Sequence, residues 1–151
     1  MADSREPQNP AAAGPQDGRP AAEEPAEAEL VELAGRILDA ARAADAAALA
    51  AFLAAGAPPN LANDRGDTLL MLAAYHGHAP AVRVLLEHGA DPDRVNDRGQ
   101  TPLAGTVFKG AEEALTALLE GGADPRAGQP SAYATAQMFG KDELLARFAA
   151  R

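Results

Sequence analysis

Cysteine and tryptophan are absent, and aromatic residues of any kind are scarce: two tyrosines and four phenylalanines in 151 residues. Without cysteine there is no disulfide, no thiolate metal site and no cysteine nucleophile, which fits a reducing compartment. Basic residues are few as well. Thirteen Lys and Arg stand against 22 Asp and Glu, giving a net charge of -9 and a pI near 4.7. Neutralising nucleic-acid phosphates needs clustered Lys and Arg, so a nucleic-acid partner is not expected. No apolar run approaches the ~20 residues that span a bilayer, and the first residues lack the basic-then-apolar pattern of a secretory signal. The expectation is a cytoplasmic monomer that engages neither nucleic acid nor membrane.

Large apolar side chains are scarcer than the 47% hydrophobic content suggests, because 39 of the residues behind that figure are Ala. Leu, Ile, Val and Phe together number 27, a share that would normally go with disorder at this net charge. All 27 lie beyond residue 29. The chain therefore divides into a disordered, acidic, Pro/Ala-rich leader over 1–27 and one folded domain over 28–151. Prolines at 7, 10, 15, 20 and 25 leave no room for a helix in the leader, and residues 1–29 carry seven acids against Arg5 and Arg19. Order is expected to begin near Ala28. There Leu30, Leu33, Ala34, Ile37, Leu38 and Ala41 share one helix face, with Glu27, Glu29 and Glu32 at its start, where the helix dipole favours negative charge.

A 33-residue period organises the rest. Gly56-Ala57, Gly89-Ala90 and Gly122-Ala123 recur at that spacing, and the strings beginning Asn63-Asp64-Arg65-Gly66 and Asn96-Asp97-Arg98-Gly99 run in parallel to a shared Gly-Ala-Asp-Pro. Each unit reads as a turn closed by Gly, a short helix capped by Thr68 or Thr101, a glycine stop at Gly77 or Gly110, and a second helix. The apolar side of that second helix carries Val82, Leu85 and Leu86, or Leu115, Leu118 and Leu119. Neither helix is long enough to bury its face alone, so successive units must stack. At the front of the array, Ala44 occupies the position of the glycine stop. Residues 28–56 therefore read either as two helices parted at an Asp45 cap or as one continuous Ala-rich helix. In the last unit Gly140 follows Gly110 by 30 residues, Ser131 takes the Thr position, and Leu144, Leu145 and Phe148 close the core.

These residues resemble the ankyrin repeat family over about 28–151. Thr101-Pro102-Leu103, Ala73-Ala74, Gly77-His78, Leu85-Leu86 and Gly89-Ala90-Asp91 all fit its pattern. The resemblance implies an all-α solenoid of about four helix-turn-helix repeats (28–56, 57–89, 90–122 and 123–151), with atypical capping repeats at both ends. The departures are specific. Met71, Ala104 and Ala134 replace the family's His, which implies a less rigid array, and Leu69 stands where Pro is usual. Gly105-Thr106-Val107 replaces Leu-Ala-Ala and is expected to weaken the first helix of its unit.

No catalytic constellation is visible. His76, His78 and His88 lack an acid or a third His at ligand spacing, so neither metal nor other cofactor is expected. Glu112-Glu113 and Asp142-Glu143 suit helix N-termini better than acid–base work, and the glycines contain no phosphate-binding Gly-x-x-x-x-Gly-Lys. Two alternatives to a simple binding module stay open, an inhibitor or antitoxin-like protein that blocks a partner enzyme and a small hydrolase or metal protein. What the resemblance implies is non-enzymatic binding of a partner protein through a concave groove and the turn tips. By position, that surface comprises Asp64, Arg65, Asp67, Tyr75 and His76 in the second unit. In the third it comprises Asp97, Arg98, Gln100, Phe108 and Lys109, with Met138 extending the row. Tyr75 and Phe108 are expected side by side in adjacent units, either exposed as binding anchors or packed between repeats.

Overall fold

The computed structural model describes residues 26–150, so the expected leader lies outside them except at its last two residues. Eight helices follow in order, with no named strand among the described residues: α1 Glu27–Arg42, α2 Ala46–Ala54, α3 Leu69–Tyr75, α4 Ala79–Glu87, α5 Pro102–Lys109, α6 Glu112–Glu120, α7 Ala132–Met138 and α8 Asp142–Ala149. They pair as α3 with α4, α5 with α6 and α7 with α8. First helices stack along α3, α5 and α7, and second helices along α2, α4 and α6. This is the all-α repeat solenoid implied by the 33-residue period.

The first helices start where a hydroxyl can satisfy an orphan backbone amide. Thr68 Oγ1 accepts from Met71 N at 3.2 Å, Thr101 Oγ1 from Ala104 N at 3.2 Å, and Ser131 Oγ from Ala134 N at 3.0 Å. Second helices start in two ways. Asp45 Oδ1 and His78 Nδ1 accept from Ala48 N at 3.0 Å and Ala81 N at 3.4 Å. Ala111 and Lys141 supply no side-chain cap, and Glu112-Glu113 and Asp142-Glu143 instead place negative charge in the first turn.

The front unit forms two helices. Asp45 caps the second, and Ala44 makes the break at φ +56°, the conformation that Gly77, Gly110 and Gly140 adopt at the same place. Helix α1 is also capped, the Glu29 carboxylate accepting from Ala26 N at 3.0 Å. One expectation for α1 is corrected. Leu30, placed by periodicity on the buried face, is 49% exposed, and full burial begins only at Ile37 and Leu38. Helix α1 spans 16 residues whereas α3, α5 and α7 span seven or eight, so only its C-terminal half matches them in length.

The core is one continuous layer. Leu49, Leu70, Val82, Leu85, Leu103, Leu115, Leu118 and Phe148 are buried in it, and Ala41, Ala73, Ala74, Ala81 and Ala114 bring the backbones close. Alanine shortens the distance between neighbouring helices, so few large side chains are needed to fill each unit. Leu144 is buried in the last unit, with Leu145 packed against the cluster from its edge.

Candidate functional site

Between the helices, the turns lie over one another and are tied together. Within each turn one Asn side chain organises the backbone: Asn63 Oδ1 accepts from Arg65 N and Asp67 N, both at 2.9 Å, and Asn96 Oδ1 accepts from Arg98 N and Gln100 N, both at 3.0 Å. Asn96 also reaches outward. Its Nδ2 donates to Asp67 Oδ1 at 2.8 Å, to Gln100 Oε1 at 2.9 Å and toward Met71 Sδ at 3.5 Å. Backbone bonds from Asp97 N to Arg65 O, 3.0 Å, and from Gln129 N to Gly99 O, 2.8 Å, continue the tie along the array.

This framework sorts the expected binding residues. Asp64, Arg65, Asp97 and Arg98 project at the tips, and His76 is an exposed residue ending α3. Asp67 and Gln100 are half-buried and serve the ladder that joins the turns. Tyr75, Phe108 and Met138 form the expected row across three successive first helices, 41%, 65% and 68% exposed. A cleft of about 360 Å³ opens along this row. Tyr75, Arg98, Gln100, Phe108 and Met138 line it, as do Met71, Gly105 and Phe139. Asp64, Arg65, Asp67, His76, Asp97 and Lys109 lie outside that lining.

The row is braced diagonally. Lys109 Nζ sits 5.6 Å from the Tyr75 ring centroid, and the Phe139 ring lies 5.8 Å from Phe108 at an interplanar angle of 48°. In both pairs the outer partner comes from the next unit, one place further along its helix.

Gly105 does not shorten its helix: α5 runs for eight residues, one more than α3, and Thr106 Oγ1 donates to Leu103 O within it. What the glycine provides is space. A Cβ placed on Gly105 would lie 2.6 Å from Tyr75 Cε1, so the missing side chain is the seat of the Tyr75 ring. Gly35 within α1 has open space at its Cβ position, whereas Gly105 is met by a side chain from the unit before.

Periodicity alone did not single out Phe139. It lies 30 residues beyond Lys109, in the column next to Tyr75, Phe108 and Met138, and is 48% exposed. The available signal was its adjacency to Met138.

The charges differ between the two central units. Arg65 Nε approaches Asp67 Oδ2 at 3.5 Å. Gln100 stands at the position of Asp67, so the Arg98 guanidinium has neither an acidic nor a hydrogen-bonding side-chain partner among the described residues. Among the described residues no three His, Asp or Glu side chains gather as metal ligands, and no helix is long and apolar enough to cross a membrane.

Comparison with known proteins bears on the repeat. Residues 37–129 match the ankyrin repeats family in its three-copy form. A stretch of 51 residues, 34% of the chain, is 49% identical to an ankyrin repeat protein of Pseudomonas aeruginosa. That match spans 30% of the relative's length.

Proposed function

Because the chain belongs to the ankyrin repeat family, whose repeats serve generally as protein–protein interaction modules, we propose that it is a non-enzymatic binding module that grips a partner protein along the face of α3, α5 and α7. One observation carries this reading: four exposed large apolar side chains, Tyr75, Phe108, Met138 and Phe139, come together on one cleft of an aromatic-poor chain. Large apolar side chains grouped in a recess and rimmed by polar residues are what binding hot spots are commonly built from. The tips bearing Asp64, Arg65, Asp97 and Arg98 flank that surface and are positioned to orient a partner electrostatically.

The test is capture of partners on the immobilised full chain, followed by reconstitution with the purified partner. The Tyr75→Ala, Phe108→Ala double variant is expected to lose the partner while its helical circular dichroism stays unchanged. A double variant that binds the purified partner as tightly as the unaltered chain would refute the assignment of this face.

A further inference from the structure

The cleft has a chemical character that narrows its occupant. We propose that it takes a short acidic segment of the partner, with one large apolar side chain seated between Tyr75 and Phe108 and a neighbouring carboxylate on Arg98. This rests on the reading of the face as a protein-binding surface and specifies what that surface recognises.

Charge is the first argument. The chain as a whole carries -9, yet the cleft lining contains no Asp or Glu, and its one charged residue is Arg98. At the equivalent place one unit earlier, the arginine is engaged by Asp67. Gln100 replaces that acid, and Arg98 has no acidic side-chain partner among the described residues. Lys109 lies outside the lining but over the ring of Tyr75, which lines the cleft, and adds a second positive charge there. An unpaired guanidinium presents a planar donor fork that matches a carboxylate. A basic segment would meet the like charge of Arg98 at the same place.

Shape is the second. Gly105 lets the Tyr75 ring settle onto α5, with its edge closer than any Cβ would allow. Phe108 is steadied by Phe139 on the other side. The recess of about 360 Å³ is matched in scale to one large side chain and its neighbours. Gly105 is thus a positioning residue, acting on the ligand through Tyr75.

Two substitutions separate these arguments. Arg98→Gln removes the charge and leaves the apolar floor. Gly105→Ala adds helix propensity to α5 while pushing the Tyr75 ring off its seat. The measurement is binding of the full chain to an array of synthetic peptides of about twelve residues, the scale of a short recognition segment. Each carries a central Phe, Trp, Leu or Ala flanked by Glu, Gln or Lys. Peptides with a large apolar centre and flanking Glu should bind at least tenfold more tightly than their Lys counterparts, with the gap narrowing as salt rises. Arg98→Gln should bring Glu and Gln peptides within about twofold while keeping the preference for a large centre. Gly105→Ala should weaken every large-centred peptide, with a melting temperature equal to or above that of the unaltered chain.

Preference for Lys-flanked peptides, or indifference to flanking charge, overturns the proposal. So does N-acetyl-phenylalanine binding as tightly as the peptides, which would make the site one for a small carboxylate. Self-association abolished by Phe108→Ala would assign the cleft to a second copy and overturn it too. If the aromatic double variant loses its purified partner while the peptides show no charge preference, the binding face stands and only this occupant fails.

Discussion

The second and third repeats share their turn, cap and glycine-stop residues, and four of the places where they differ bear on the cleft. Asn63 and Asn96, Gly66 and Gly99, Thr68 and Thr101, and Leu70 and Leu103 are identical pairs at the 33-residue offset, and they hold turns, caps and core. Asp67 becomes Gln100, Met71 becomes Ala104, Leu72 becomes Gly105 and His76 becomes Lys109. Each third-repeat member of these four pairs lines the cleft or, for Lys109, covers the Tyr75 ring on its wall. The repeated residues build a scaffold that any ankyrin array could use. Those four replacements leave Arg98 without an acidic partner among the described residues, make a seat for a ring and supply a brace for it.

The sharpest break of that comparison sets Leu103→Ala against Phe108→Ala on the same helix. Leu103 is fully buried, and its truncation should cost about 2–5 kcal/mol of folding free energy through lost burial and the cavity left behind. Phe108 is mostly exposed, and its truncation should cost no more than about 0.5 kcal/mol. Urea unfolding followed by circular dichroism reads both. Comparable losses would make Phe108 part of the scaffold. Next in size, Asn96→Ala should cost about 2 kcal/mol, because it strips two backbone amides of their acceptor and removes the donor to Asp67. Asn63→Ala loses only the bonds inside its own turn and should cost about half as much. Equal costs would mean that the tie between turns contributes nothing.

Much of the scaffold was legible in the sequence for a physical reason. Caps, glycine stops and apolar stripes depend on neighbours within one helix or turn, and a period of 33 displays those neighbours three times over. Thr68, Thr101 and Ser131 were identified as caps for that reason. The row of Tyr75, Phe108 and Met138 was legible through the same period, with the last unit's step shortened to 30 residues. The cleft's other features were not, because each joins residues of different units. Gly105 makes sense only beneath a ring from the preceding repeat, and Phe139 only against Phe108 one column away. Leu30 failed in the opposite sense. Its spacing is correct for a buried helix face, but spacing does not reveal how far along α1 burial extends.

The front unit offers a gentler comparison with the central ones. Ala44 adopts at φ +56° the turn that glycine makes in every later unit. A side chain in the left-handed region costs roughly 1–2 kcal/mol, from which the greater unfolded-state freedom of glycine subtracts a part. Ala44→Gly should therefore raise stability by up to about 1 kcal/mol, whereas Gly110→Ala should lower it by a similar amount. Thermal melts of the two variants give opposite signs if the break between α1 and α2 is held by the same geometry as the others. Destabilisation by Ala44→Gly would show that alanine's helix propensity matters more there than the strain.

The smallest effect lies on the loops before the turns, where Asn60 and Asp93 occupy equivalent places and do the same work. Asn60 Oδ1 accepts from Asp91 N at 2.7 Å, and Asp93 Oδ1 accepts from Asp124 N at 2.8 Å. Asparagine does this without charge. Asp93 does it half-buried beside two other acids, and its carboxyl is pushed above the ordinary aspartate value by burial first, then by the charges of Asp124 and Asp91. The bond from Asp124 N opposes that rise only in part. A carboxyl raised in the folded state holds its proton more tightly there than in the unfolded chain. Its favourable contribution is therefore complete below the unfolded value and is lost as pH climbs through the folded one, so at neutral pH the ionised group works against folding. Asp93→Asn keeps the oxygen that Asp124 N needs and removes the charge. It should melt slightly higher than the unaltered chain at pH 7, and the difference should close as pH falls through the carboxylate range. A gain of the same size at every pH would assign the effect to packing instead, and a loss at pH 7 would mean that the charged acceptor holds this loop better than the neutral one.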